Sequence, residues 1–165
     1  MKGITEKLKI LIISGYHPKE TFAVNVGECL FQNTSTHNLE AARYTGKPDR
    51  KTSTYNLRRF VEEFNPVISP IILHGDDDQA FDAAIIYCAK SKQEKRRALK
   101  PLSDFILRLD GGNLIVFGRF LTYNTRYNLI DLELNSKMGL QKAINLVEDF
   151  SRYLLNLYLE KGVKL

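Results

Sequence analysis

Cysteine, histidine and long apolar runs are all scarce in this chain. Two cysteines in 165 residues, Cys29 and Cys88, share no CxxC spacing, which excludes both a disulfide framework and a zinc knuckle. They sit in "VGECLF" and "IIYCAK" and read as small core residues. The longest apolar runs, such as residues 10–13 and 114–117, fall far short of the ~18 residues a membrane span needs. The first residues carry charge but no apolar h-region, so they do not read as a signal peptide, and a cytoplasmic protein is expected.

What remains is an ordinary globular composition, 44% hydrophobic and 26% charged. Residues 1–165 are enough for one domain with a full core. The net charge of +5 comes from 24 basic and 19 acidic residues, and its location is informative. The stretch "KSKQEKRRALK", residues 90–100, holds six Lys or Arg and one Glu, so the rest of the chain is balanced. A basic helix face without interleaved aromatics reads as solvated, with a grip on nucleic acid or an acidic partner as the secondary reading.

Periodicity alternates along the chain. "LKILIISGY" is a nearly continuous apolar run ending at Gly, which marks a strand covered on both faces. Residues 20–32 place Phe22, Val26, Cys29 and Leu30 at helical spacing. "NTSTHN" is a polar loop in which His37 is solvated, residues 39–44 form a second strand, and "TGKPDRKTS" is a mobile linker. Ser53 then caps a helix through Leu57, Phe60, Val61 and Phe64 that Asn65-Pro66 stops. "VISPIILHG" is a buried strand whose Pro70 predicts an irregular start, and "DAAIIYCAK" is another. A helix through Ala98, Leu102, Phe105 and Leu109 ends at Asp110-Gly111-Gly112. "NLIVFGRF" is a further strand. "YNLIDLELN" alternates, with Ile130, Leu132 and Leu134 on one face and Asp131, Glu133 and Asn135 on the other. An amphipathic terminal helix follows. Strands alternating with helices predict a three-layer α/β/α domain with a mostly parallel, mixed central sheet.

Ligands of such sheets collect outside the carboxyl ends of the strands, where His17, Glu20, His74 and Glu133 are all expected. Two histidines and one carboxylate give a catalytic zinc three protein ligands and an open position. His17-x-x-Glu20 reaches one ion if the chain bends from strand into helix, and His74 arrives from a neighbouring strand. Glu133 can then carry a proton from metal-bound water to a leaving amine. The aspartates of "HGDDD" suit Mg or Ca but read as a solvated loop, with Asp76 placed to orient the His74 imidazole.

The order HxxE, His after a strand, and Glu within a late strand resembles the zinc carboxypeptidase clan, especially its succinylglutamate desuccinylase and aspartoacylase branch. "LELN" also resembles the N-formylglutamate amidohydrolases. The resemblance spans residues 14–135 and implies a zinc-carboxypeptidase-like fold. It also implies one zinc on His17, Glu20 and His74, and Glu133 as general base. "RYTGKPDRKTSTYNLRRF" resembles a family segment that makes Arg43 the arginine polarising the scissile carbonyl and Arg58 the one gripping a substrate carboxylate. Pro18-Lys19 stand where the family has Gly-Asn, and Leu57 separates Asn56 from Arg58. The implied activity is hydrolysis of an amide in a small acylated amino acid or a carboxylate-bearing peptide terminus, with zinc-bound water as nucleophile. The alternative is a non-catalytic member of the same fold that binds an acidic partner or nucleic acid through residues 90–100.

Overall fold

A computed structural model describes residues 8–17, 19–33, 39–44, 50–109, 113–123 and 125–165, with residues 50–56 as backbone. Strand β1 (Ile10–Ser14) is buried along its whole length, as a strand covered on both faces must be. Helix α1 (Thr21–Gln32), β2 (Leu39–Arg43), α2 (Arg50–Phe64), β3 (Ile71–Gly75) and β4 (Ala83–Ala89) follow. Then come α3 (Lys92–Leu107), β5 (Leu114–Phe120), β6 (Leu129–Leu134), a 3-10 turn (Ser136–Met138) and α4 (Leu140–Lys161). Among the described residues no helix is long and apolar enough to cross a membrane.

The six strands form one sheet in the order β2-β1-β3-β6-β4-β5. Only the β4–β6 pair is antiparallel, so the sheet is mixed but mostly parallel. Apolar residues of α1, α3 and α4, such as Val26, Leu102 and Phe150, pack on one face. Leu57 and Val61 of α2 pack on the other against Leu11, Ile13 and Ile72. Each fully buried Leu, Ile or Phe stabilises by roughly 1.5–3 kcal/mol, so the two layers hold the strand ends in place.

Three local expectations change. Helix α2 begins at Arg50, so Ser53 lies within the helix and not at its cap, and the supposed linker is helical from residue 50. Asn65 does end it, with a left-handed φ of 42° just before Pro66. Helix α3 ends at Leu107 with Arg108 as its cap, and Asp110-Gly111-Gly112 lie outside the described residues. Cys29 is only half-buried, whereas Cys88 is a buried core residue as expected and in addition has polar partners. His37 and residues 45–49 of the linker also lie outside the described residues.

Candidate metal centre

The site begins with a turn. Gly15 at the end of β1 has φ 77°, and a Cβ there would lie 2.9 Å from the Tyr44 carbonyl oxygen. The chain turns there, and the Glu20 N–H donates to the His17 carbonyl at 3.0 Å. Glu20 is the residue capping α1. His74 comes from β3, paired in parallel with β1, and is buried. Gly75 follows it, and its N–H donates to Glu20 Oε2 at 3.1 Å. A Cβ at Gly75 would meet the Glu20 Cβ at 3.3 Å, so a small residue there lets Glu20 settle onto the end of β3.

These contacts bring three ligand types together. One donor atom each from His17, Glu20 and His74 lie within 4.8 Å of one another. The two imidazole centroids are 5.3 Å apart, and His74 Nδ1 is 3.5 Å from Glu20 Oε2. Zinc with bonds of ~2.0–2.1 Å in tetrahedral geometry sets its donors roughly 3.3 Å apart, so small side-chain rotations close the cluster on an ion. Burial lowers the His17 pKa, with Glu20 opposing, which favours the neutral ring a metal requires.

The second nitrogen of His74 is committed. Nε2 lies 3.1 Å from Oδ1 of the buried Asp131 on β6, so Nδ1 is the nitrogen left facing Glu20. This is the carboxylate–histidine arrangement that sets tautomer and ring orientation in metal sites. Burial opposes a charge on His74, yet hydrogen bonds to Asp131 and Glu20 outweigh it and raise the ring to about 9. A proton or a metal cation on Nδ1 answers the same two carboxylates. The chemistry of the donor set therefore fits zinc.

Asp131 has further partners. Arg119 of β5 donates to Oδ2, Cys88 Sγ lies 3.3 Å from the same oxygen, and the Tyr123 hydroxyl is 3.1 Å from Oδ1. Burial would raise its pKa, but the His74 hydrogen bond and the charges of His74 and Arg119 hold it below the usual carboxylate range. Burial and the Asp131 charge push the Cys88 thiol up to about 12, so it is a donor here and not a nucleophile. Sequence reasoning put Asp131 on the Glu133 face but gave it no role. The signal was present, because an acidic side chain in the middle of a buried strand must be paired.

The other candidates stand outside the donor cluster. Glu133 is the register partner of His74 across β3 and β6 and is half-buried. Burial raises its pKa, the His74 charge opposes this, and Asp76 and Asp131 add to it. Asp76 does not orient His74: its carboxylate accepts from the Asp78 N–H at 3.1 Å, a local turn contact, while Asp131 holds the ring. Asp77 likewise accepts from the Ser136 N–H at 2.8 Å, so two of the three loop aspartates serve the backbone. Arg43 is exposed and pairs with Glu28 at 3.1 Å. Its side chain runs beside the turn after β1, with Nε 3.7 Å from where a Cβ would stand on Gly15, while the guanidinium is held on Glu28. Arg58 pairs with Glu62 one turn along α2, also at 3.1 Å. The arginine that reaches the His74–Asp131 pair is Arg119.

An open cleft of about 390 Å³ adjoins the cluster at Glu20, bordered by Lys19, Phe22, Asn25, Gly75 and Asp77. Tyr16 stands on the histidine side, its ring 4.7 Å from that of His17 and 5.5 Å from that of Tyr123.

No protein-family model matches the sequence, and no curated protein does. Solved structures do match. An N-acetylmuramoyl-L-alanine amidase from Clostridium difficile 630 aligns over 94% of this chain and 100% of its own, with a TM-score of 0.57 and 12% identity. This chain shares the overall fold of that protein. The apo form of an N-acetylmuramyl-L-alanine amidase from Mycobacterium abscessus aligns over 88% of this chain and 98% of its own, with a TM-score of 0.57 and 15% identity. A protein from Shewanella amazonensis SB2B, provisionally assigned as a metallopeptidase, aligns over 92% of this chain and 77% of its own, with a TM-score of 0.51 and 14% identity. At such identities the likeness is one of architecture, and the chemistry rests on the residues described above.

Proposed function

We propose that this chain is a metal-dependent amide hydrolase in which His17, Glu20 and His74 hold zinc and Glu133 moves the proton. The observation that carries the reading is the convergence of three donor atoms within 4.8 Å around a His74 ring whose far nitrogen is tied to buried Asp131. When bound, the ion supplies Lewis acidity toward an amide carbonyl and makes water more acidic.

The chain's own groups do the rest. Asp131 accepts from His74 Nε2 and keeps Nδ1 directed at Glu20. Glu133 takes a proton from the attacking water on its carboxylate and hands it to the departing amine nitrogen, and burial that raises its pKa suits both halves of that transfer. Lys19 borders the cleft and offers a cation to a substrate carboxylate, the role the sequence resemblance gave to Arg58.

What two likenesses have in common supports a substrate class. The amidases of like fold are named for the bond between an acyl group and the nitrogen of L-alanine, and the succinylglutamate desuccinylase branch implies an acyl group on the nitrogen of glutamate. Both are N-acyl amino acids, so the proposed substrate is a small N-acylated amino acid or peptide terminus.

The experiment is elemental analysis of protein purified without chelator, followed by assay on N-formyl, N-acetyl and N-succinyl amino acids and on N-acetylmuramoyl-L-alanine peptides. About one zinc per chain, with hydrolysis lost on chelation and restored by zinc, is expected. Protein that stays metal-free in zinc-containing buffer would overturn the proposal.

A further inference from the structure

A second cavity, of about 300 Å³, lies at the opposite end of the sheet from the metal cluster. Its walls come from residues 67–69 ahead of β3, Asn128 ahead of β6, the start of α3 and the stretch after α4. These are the amino ends of parallel strands whose carboxyl ends carry His74 and Glu133. The cavity is therefore separate from the amide site.

Basic side chains predominate on its walls. Lys90, Arg97, Arg126 and Lys164 line it together with Glu94 and Leu165, and Arg126 is already 3.9 Å from Glu62. Glu94 accepts from the Ser91 hydroxyl at 2.9 Å as part of the α3 cap, and its charge is answered by Lys90. Arg97 and Lys164 form no ion pair among the described residues. The Lys164 stretch is pinned in place, because the Ser69 N–H donates to the Leu165 carbonyl at 2.7 Å. Arg97 and Lys164, from distant parts of the chain, thus face one concavity without an ionic partner among the described residues, with Lys90 and Arg126 beside them. An anion seated between these two unpaired cations would be attracted by both.

We propose that this cavity binds a small phosphate-bearing organic molecule, with the phosphate between Arg97 and Lys164 and the organic part against Tyr127. A volume of about 300 Å³ matches the lower end of small-molecule sites, and Tyr127 offers a ring that Arg126 already flanks at 5.1 Å. A nucleic-acid strand fits less well. Of the six basic residues in 90–100 only Lys90 and Arg97 line the cavity, while Lys95 lies over Phe120 at 4.5 Å and Lys100 pairs with Asp104 at 3.3 Å. The charges fan around α3 and make no continuous track for a backbone.

The test is calorimetry of the full chain with adenosine 5′-monophosphate and with inorganic phosphate, run with and without chelator. Saturable binding of the nucleotide, unaffected by chelation, is expected. It should weaken about ten-fold or more in the Arg97→Gln/Lys164→Gln variant, since each loses a charge-assisted contact. The Lys92→Gln/Arg96→Gln variant, altered on the exposed side of the same helix, should bind as the wild type does. Amide-proton shifts of wild-type protein on adding phosphate should centre on Lys90 and Asn128, which tests the location without any variant. No binding of either probe overturns the proposal. So does equal weakening in both variants, or a single-stranded oligonucleotide that binds far more tightly than the nucleotide and loses affinity in the Lys92/Arg96 variant. None of these results depends on whether the metal cluster is active.

Discussion

His74 and Asp131 form a diagonal pair across the parallel strands β3 and β6, with Nε2 and Oδ1 3.1 Å apart, both side chains buried. The contact leaves only one ring nitrogen free to act as a ligand. Replacing Asp131 by Asn keeps the shape but removes the charge that orients and strengthens the imidazole. Zinc affinity should fall 10–100-fold in Asp131→Asn, measured by competition with a chromophoric chelator. Unchanged affinity would mean that the pair is structural.

The same pair gives the metal-free protein a pH signature. His74 is held protonated to about 9, against an ordinary value near 6.5. A pKa raised by folding adds stability that is fully present below about 6.5 and is lost as pH climbs through 9. Metal-free protein should therefore lose a few kcal/mol between those limits, read from denaturant melts. Zinc-loaded protein, with the ion in place of the proton, should lack this decline. A metal-free protein whose stability rises across the window would contradict the electrostatic picture.

Glu133 separates binding from chemistry, since it neighbours His74 without belonging to the donor cluster. Glu133→Gln should hold zinc at wild-type stoichiometry and lose hydrolysis by ~10²-fold or more. Equal loss of zinc in that variant would make Glu133 a ligand.

What the sequence disclosed about this site depended on local pattern. Apolar runs ending in Gly or His marked β1 and β3, and placing His17, Glu20 and His74 at their carboxyl ends required only the α/β alternation. Partner choice could not be read in the same way. Arg43 and Arg58 fell in a stretch with the right residue order, yet each guanidinium found a nearer carboxylate, Glu28 on α1 and Glu62 one helical turn away. Asp131 was visible as a charge in a buried strand, but the histidine, arginine, thiol and phenol that surround it come from three other strands and a loop. Such contacts exist only once the sheet order is set.

The three arginines should accordingly respond in opposite ways. Arg43–Glu28 and Arg58–Glu62 are exposed pairs, which contribute ~0–1 kcal/mol each, so Arg43→Gln and Arg58→Gln should melt within a few degrees of wild type and keep their zinc. Arg119 differs because its partner Asp131 is buried and shared with His74. Arg119→Gln leaves that carboxylate with one cation fewer in a dry setting, which should cost roughly 1–3 kcal/mol and shift the pH dependence of zinc binding. Steady-state kinetics on a carboxylate-bearing N-acyl amino acid completes the comparison. Arg43→Gln and Arg58→Gln should leave kcat and KM nearly unchanged, whereas Lys19→Gln should raise KM with little effect on kcat. A large fall in kcat in Arg43→Gln with zinc intact would show that its guanidinium leaves Glu28 when substrate binds, and would restore to it the carbonyl-polarising role the family resemblance implied.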